Sequence, residues 1–182
     1  MSTIQTVCVY CGSAAGARTE YRAAAQELGR TLAVAGVRLV YGGAHVGLMG
    51  AMADAALAAG GQVTGVIPQQ LVDREIAHRG LTELHVVANM HERKHKMAEM
   101  ADAFVALPGG YGTLDELCEV LGWAQLGLHE KPIVLLDIAE YWKHLFAMLD
   151  HGVREGFLKQ QNREFARRAG SVEEAVTMLR LA

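Results

Sequence analysis

A chain of 182 residues fits one domain, expected to span 1–182, and is long enough to bury a substantial core. With 51% apolar residues it has the means to fold alone. Seventeen basic against twenty acidic side chains give a net charge of −3, and no long run of one sign occurs, so a polyanion-binding surface is not indicated and nucleic acid is not an expected partner.

The start, "MSTIQTVCVY", lacks a basic segment followed by an apolar core and a small-residue cleavage site, so the expected compartment is the cytoplasm. "TVCVY" reads as a strand and opens into the glycine loop "CGSAAG", which holds Gly12, Ser13 and Gly16. Cys8 and Cys11 have C-x-x-C spacing, but positions three apart on a strand face opposite ways. Cys8 is therefore expected in the core and Cys11 at the first loop position. With Cys118 they make an odd set, which argues against a disulfide framework.

"VRLVY" is a second strand, followed by "GGAHVGLMG" with Gly42, Gly43, Gly47 and Gly50. The weakly polar stretch around it is broken by His45 and Asp54 and is rich in glycine, so no membrane span is expected. "QVTGVIP", "ELHVVA", "AFVALPGG" and "PIVLLD" continue the series of short apolar strands, separated by helix-like segments. This alternation predicts an α/β fold: a single-domain, doubly wound parallel sheet, Rossmann-like, with helices on both faces. The last third, with "EYWKHLFAMLDHGV" and "SVEEAVTMLRLA", reads as amphipathic helices, with Leu145, Met148 and Leu149 as core.

In such a sheet the loops leaving the carboxyl ends of the strands share one edge, where ligands favour the crevice. Three of these loops are glycine-rich: "CGSAAG", "YGGAHVGLMG" and "PGGYGT". Glycines followed by a helix start let backbone N–H groups turn toward a phosphate. None fits a common nucleotide fingerprint: there is no G-x-x-x-x-G-K-[ST], and "GYGTLDE" has Asp115 where G-x-G-x-x-G needs its third glycine.

Helix starts are written as capping boxes. Thr113 with Glu116 and Ser171 with Glu174 have that form, Asp137 with Glu140 a related one, and Asn89 with Glu92 another. The Asn89 helix then places Arg93, Lys94, His95 and Lys96 in its first turns, where cations oppose the helix dipole unless an anion sits nearby. "HERKH" also spells H-E-x-x-H, with His91 and His95 as possible zinc ligands, Glu92 as base and Glu116 as a conceivable third ligand. The intervening cations and the position of the motif at a helix start speak against it.

Taken together, "PGGYGTLDE" fits the pattern P-G-G-x-G-T-x-x-E and "MHERK" the pattern M-x-x-R-K, with "VYCGS", "VYGGAHVGLMG", "GVIPQQL" and "WAQLGLHEKP" in the same order. From about Thr6 to Val153 the chain resembles the LONELY GUY (LOG) proteins, phosphoribohydrolases that split nucleoside 5′-monophosphates, cytokinin precursors among them, into free base and ribose 5-phosphate. The resemblance implies Arg93 and Glu116 as the catalytic pair, with Lys94 beside them. It implies a phosphate held by Gly109, Gly110, Tyr111, Gly112 and Thr113. Gly12, Ser13, Gly43, Met90 and, in "VIPQQLVDRE", Glu75 are the further substrate contacts it implies. It also implies a homodimer, with Trp123 and Leu126 either in the interface or in the core, and no metal or organic cofactor. Two positions depart from the family: Ala44 stands where a glycine is common, and Gly122 where threonine is frequent, which bears on base preference.

The expected activity is hydrolysis of the N-glycosidic bond of a purine nucleoside 5′-monophosphate, AMP or an N6-substituted adenine nucleotide. The competing readings are a nucleotide-binding carrier or sensor without turnover, a zinc metalloprotease built on "HERKH", and a pyridoxal phosphate decarboxylase using Lys94 or Lys96.

Overall fold

The computed structural model describes residues 4–74 and 76–181. Its centre is a parallel sheet of seven strands: β1 (Thr6–Tyr10), β2 (Arg38–Tyr41), β3 (Val63–Pro68), β4 (Glu83–Val87), β5 (Ala103–Ala106), β6 (Ile133–Leu136) and β7 (Ala166–Ala169). They lie in the order β4-β3-β2-β1-β5-β6-β7, every neighbouring pair parallel. The order reverses between β1 and β5, so the loops after these two strands leave the sheet in opposite directions and open a crevice between them.

The connecting helices are α1 (Thr19–Val34), α2 (Gly47–Ala58), α3 (Gln69–Val72), α4 (Met90–Met100), α5 (Tyr111–Gln125), α6 (Lys143–Arg154), α7 (Gln160–Arg163) and α8 (Val172–Leu179). Alternation along β1 decides which layer each residue joins. Val7, Val9 and Cys11 pack toward α1, α2 and α8, while Cys8 and Tyr10 pack toward α4, α5 and α6. The expected layered α/β architecture is therefore present, and the two cysteines do face opposite layers. Among the described residues no helix is long and apolar enough to cross a membrane.

Three expectations from the sequence are corrected. The expected series of strands ends at "PIVLLD", but β7, "ARRA", adds a seventh between the two segments read as helices; Arg167 and Arg168 are exposed on this edge strand, so its four residues carry neither an apolar run nor an apolar alternation. Met148 is 71% exposed, whereas Leu145 and Leu149 are half-buried against the core. Asp137 does not cap the 3-10 turn at Ile138–Glu140. Its buried carboxylate instead accepts hydrogen bonds from Trp142 N at 2.6 Å and Arg168 Nε at 2.6 Å, tying β6 to β7 and to the start of α6.

α1 and α2 approach closely at Gly29 of α1, where a Cβ would lie 2.3 Å from the carbonyl oxygen of Met52 in α2. That packing seats α2, and with it the loop after β2, against the crevice. Gly29→Ala is expected to destabilise the fold by about 1–3 kcal/mol in chemical denaturation; an unchanged midpoint would show that the two helices separate freely.

Candidate active site

The loops after β1, β2 and β5 meet at the switch point and line a cleft of about 520 Å³. Gly12 N donates to Pro108 O at 3.0 Å, and Leu48 N donates to Gly12 O at 3.1 Å, so the three loops are stitched together by their backbones. Ser13, Gly110, Tyr111, Gly112 and Thr113 are part of the cleft lining. These last four open α5, whose N-cap, Gly110, makes no side-chain hydrogen bond to the first turn. The first N–H groups of that helix therefore lack an intrahelical partner and, with the helix dipole, favour an anion. A Cβ at Gly110 or Gly112 would meet only open space, while at Gly109 it would lie 2.0 Å from Thr113 Oγ1. Gly109 thus makes room for the buried threonine, and the other two glycines leave backbone bare toward the cleft.

This corrects the expected capping box. α5 begins at Tyr111, two residues before the expected N-cap, so Thr113 and Glu116 both lie inside the helix. Glu116 is buried and pairs with Arg93, Nη2 to Oε1 at 3.3 Å. The Asn89 and Ser171 caps form as expected. Asn89 Oδ1 accepts from His91 N and Glu92 N, and Ser171 Oγ accepts from Glu174 N. Glu92 accepts from Ala88 N and Asn89 Nδ2, so its carboxylate is engaged at the helix start and not presented as a zincin base. Among the described residues no three His, Cys, Asp or Glu side chains are placed to hold a metal ion.

Arg93 comes from α4 and is held by what surrounds it. A Cβ at Gly42 would lie 1.9 Å from its Nη2, so the glycine after β2 is what admits the guanidinium. Nη1 points at Met90 Sδ at 3.6 Å, and the buried Nε has no hydrogen-bond partner among the described residues. Burial raises the pKa of Glu116 to about 7; Arg93 and, more weakly, Lys94 pull it down, while Asp115 and Glu119 push it up. A carboxyl poised near neutral pH, next to a fixed cation in a cleft, is a candidate for chemistry.

Lys94 sits beside this pair but does not line the cleft. Its Nζ lies 3.0 Å from Asp115 Oδ2 and 3.1 Å from Glu119 Oε1. Two of the cations that open α4, Arg93 and Lys94, thus meet acids of α5, an arrangement readable only once the two helices are known to be neighbours. Gly43 has φ +73 and faces Val66 and Ile67, away from the cleft. Gly122 borders a separate hollow with Cys118 and Leu149. Glu75 lies outside the described residues.

The cleft also has an apolar wall: Ala44, Val46, Met49, Leu71, Ile76 and Met90. Of these only Met90 was expected as a substrate contact; Ala44 and Val46 come from the loop after β2, Met49 from α2, Leu71 from α3 and Ile76 from the loop after α3. His45 N donates to Ile76 O at 3.0 Å and His78 N to Gly43 O at 2.8 Å, which fastens this wall to the loop after β2.

A doubly wound sheet whose switch-point crevice joins an uncapped helix start, a buried arginine–carboxylate pair and an apolar wall defines an α/β protein with a site suited to a phosphorylated, partly apolar ligand. A family model described as "Possible lysine decarboxylase" matches residues 49–179. The chain is 49% identical over 179 residues to a cytokinin riboside 5′-monophosphate phosphoribohydrolase of Rhodococcoides fascians, covering 98% of this chain and 90% of that one. It is 47% identical to the cytokinin riboside 5′-monophosphate phosphoribohydrolase LOG1 of Arabidopsis thaliana, covering 98% and 84%. The chain belongs to this LOG family. The molybdenum cofactor binding protein of Rippkaea orientalis shares the fold, with a TM-score of 0.75 over 99% of this chain and 97% of that one, at 23% identity.

The raised pKa of Glu116 has a consequence for stability. The unfolded carboxyl loses its proton near 4.5 but the folded one only near 7, so its contribution is most favourable below 4.5, declines between the two values and is constant above them. Glu116→Gln, neutral throughout, is expected to gain stability relative to wild type across that window, on the order of 3 kcal/mol from end to end. Urea denaturation of both proteins at several pH values checks this; a difference that stays flat would contradict it.

Proposed function

We propose that the protein is a phosphoribohydrolase that cleaves the N-glycosidic bond of purine nucleoside 5′-monophosphates, AMP or N6-substituted adenine nucleotides, releasing free base and ribose 5-phosphate. The observation that carries this reading is Glu116: a buried carboxyl, titrating near neutral pH, paired with Arg93 in the cleft. Near-full-length identity to phosphoribohydrolases supports it.

In this reading the phosphate binds the backbone of Gly110, Tyr111, Gly112 and Thr113, with Gly12 and Ser13 opposite, and the base lies against Met49, Leu71, Ile76 and Met90. Bond cleavage builds positive charge on the sugar ring, which the ionised Glu116 stabilises while holding a ribose hydroxyl or the attacking water. Arg93, always protonated, positions the nucleotide and fixes the carboxylate; it is not a base. The phosphate, remote from the broken bond, anchors the sugar. Lys94 is already engaged by two carboxylates and its pKa is raised, burial opposing and the hydrogen bonds to Asp115 and Glu119 outweighing it. An ammonium so held is a poor Schiff-base nucleophile, which weighs against a decarboxylase.

We also propose that the protein works as a cytoplasmic homodimer. Leu126 at the end of α5 and the nearby Leu128 are 72% and 68% exposed and offer an apolar surface to a second copy. Sedimentation equilibrium is expected to return twice the chain mass.

Incubation with AMP and with isopentenyladenosine monophosphate, followed by chromatography, is expected to yield free base. Its rate should rise with pH through about 7 as Glu116 ionises. Glu116→Gln and Arg93→Ala are expected to lose about a hundredfold or more in turnover, Glu116→Gln with nucleotide binding retained. Binding without any base release would favour a carrier, and wild-type turnover in Glu116→Gln would remove the carboxyl from the mechanism.

A further inference from the structure

The charges around the site form a five-membered cluster: buried Arg93 and Lys94 on α4, and on α5 buried Glu116 with the partly buried Glu119 and the exposed Asp115. Two cations face three acids, so one negative charge is in excess when all are ionised. Arg93 and Glu116 border the cleft, whereas Lys94, 8% exposed, lies behind them. Asp115 and Glu119 are four apart, one helical turn, and like charges at that spacing repel. Lys94 Nζ sits between them at 3.0 and 3.1 Å.

We propose that Lys94 is a positioning residue for Glu116: by occupying Asp115 and Glu119 it neutralises the two acids that flank the site carboxyl, keeps Arg93 free to pair with Glu116 alone, and locks α4 to α5. This rests on the phosphoribohydrolase reading for its catalytic consequence, but its electrostatic content stands without it. Without Lys94, two uncompensated carboxylates would raise the negative potential at Glu116 and compete for the guanidinium. The other titratable groups facing Glu116 are Cys8, Tyr10 and Cys11 of β1 and its following loop. Burial, foremost, raises all three, so they stay protonated through the neutral range and do not blur the response.

The test is the titration of the Glu116 carboxyl by carbon-13 NMR, its signal assigned by its absence in Glu116→Gln, together with kcat and KM against pH. It is run on wild type, Lys94→Met, Lys94→Arg and Glu119→Gln. Lys94→Met is expected to move the Glu116 midpoint and the acid limb of the rate profile upward by about one pH unit, with KM unchanged above both midpoints. Glu119→Gln is expected to move both downward, and Lys94→Arg to stay near wild type. Opposite shifts from Lys94→Met and Glu119→Gln are what a merely structural role does not produce. The proposal is overturned if the midpoint is indifferent to Lys94→Met, if both variants shift it the same way, or if KM rises severalfold at a constant midpoint, which would make Lys94 a substrate contact. Should Lys94→Met fail to fold, the direction of the shift in Glu119→Gln decides. If no variant, wild type included, releases base, the functional reading falls while the NMR midpoints still judge the role of Lys94.

Discussion

The pairing of Arg93 with Glu116 across the switch-point crevice is the constraint around which the rest of the site is arranged. Both charges are buried, and taking such groups out of water costs several kcal/mol each, so a pair of this kind is a weak source of stability. The guanidinium also keeps a buried Nε without a hydrogen-bond partner among the described residues. The neighbouring residues nevertheless accommodate it: Gly42 gives up its side chain so that Arg93 can enter. A fold that accepts these costs at the one place where its strand order reverses keeps a charged group there for what it does.

The same crevice holds two kinds of chemistry. In its lining the bare backbone of Gly110 and Gly112 and the uncapped start of α5 supply fixed dipoles, which need no reorganisation to meet a phosphate. Side chains from the segments after β2 and β3 add an apolar wall. Arg93 and Glu116 lie among the lining of this cleft. A nucleoside monophosphate offers groups of both kinds, a phosphate and a ring, joined by a sugar. Lys94, Asp115 and Glu119 form a second layer of charge behind the pair.

Much of this was legible in the sequence because β1, β2, β3, β5 and β6 are short, nearly continuous apolar runs, the signature of strands buried on both faces. β7 was not, since an edge strand of two arginines between alanines has no such signature. The glycine loops marked the crevice, and the motif carrying Glu116 marked the carboxyl. Its local reading as a helix cap failed because α5 starts earlier, at Tyr111, through backbone geometry that Thr-x-x-Glu spacing does not encode. The partners of Lys94 and the apolar wall depend on which helices and loops become neighbours, information that resides in the strand order. Glu75, expected near the substrate, lies outside the described residues.

The central claim, that an ionisable Glu116 faces the sugar of a nucleotide whose phosphate rests on the start of α5, is tested most directly by a crystal structure of Glu116→Gln soaked with AMP. The account predicts phosphate oxygens within hydrogen-bond reach of the N–H groups at Gly110–Thr113 and the anomeric carbon beside the side chain of residue 116. A nucleotide bound with its sugar away from that side chain, or with its phosphate elsewhere, would contradict it.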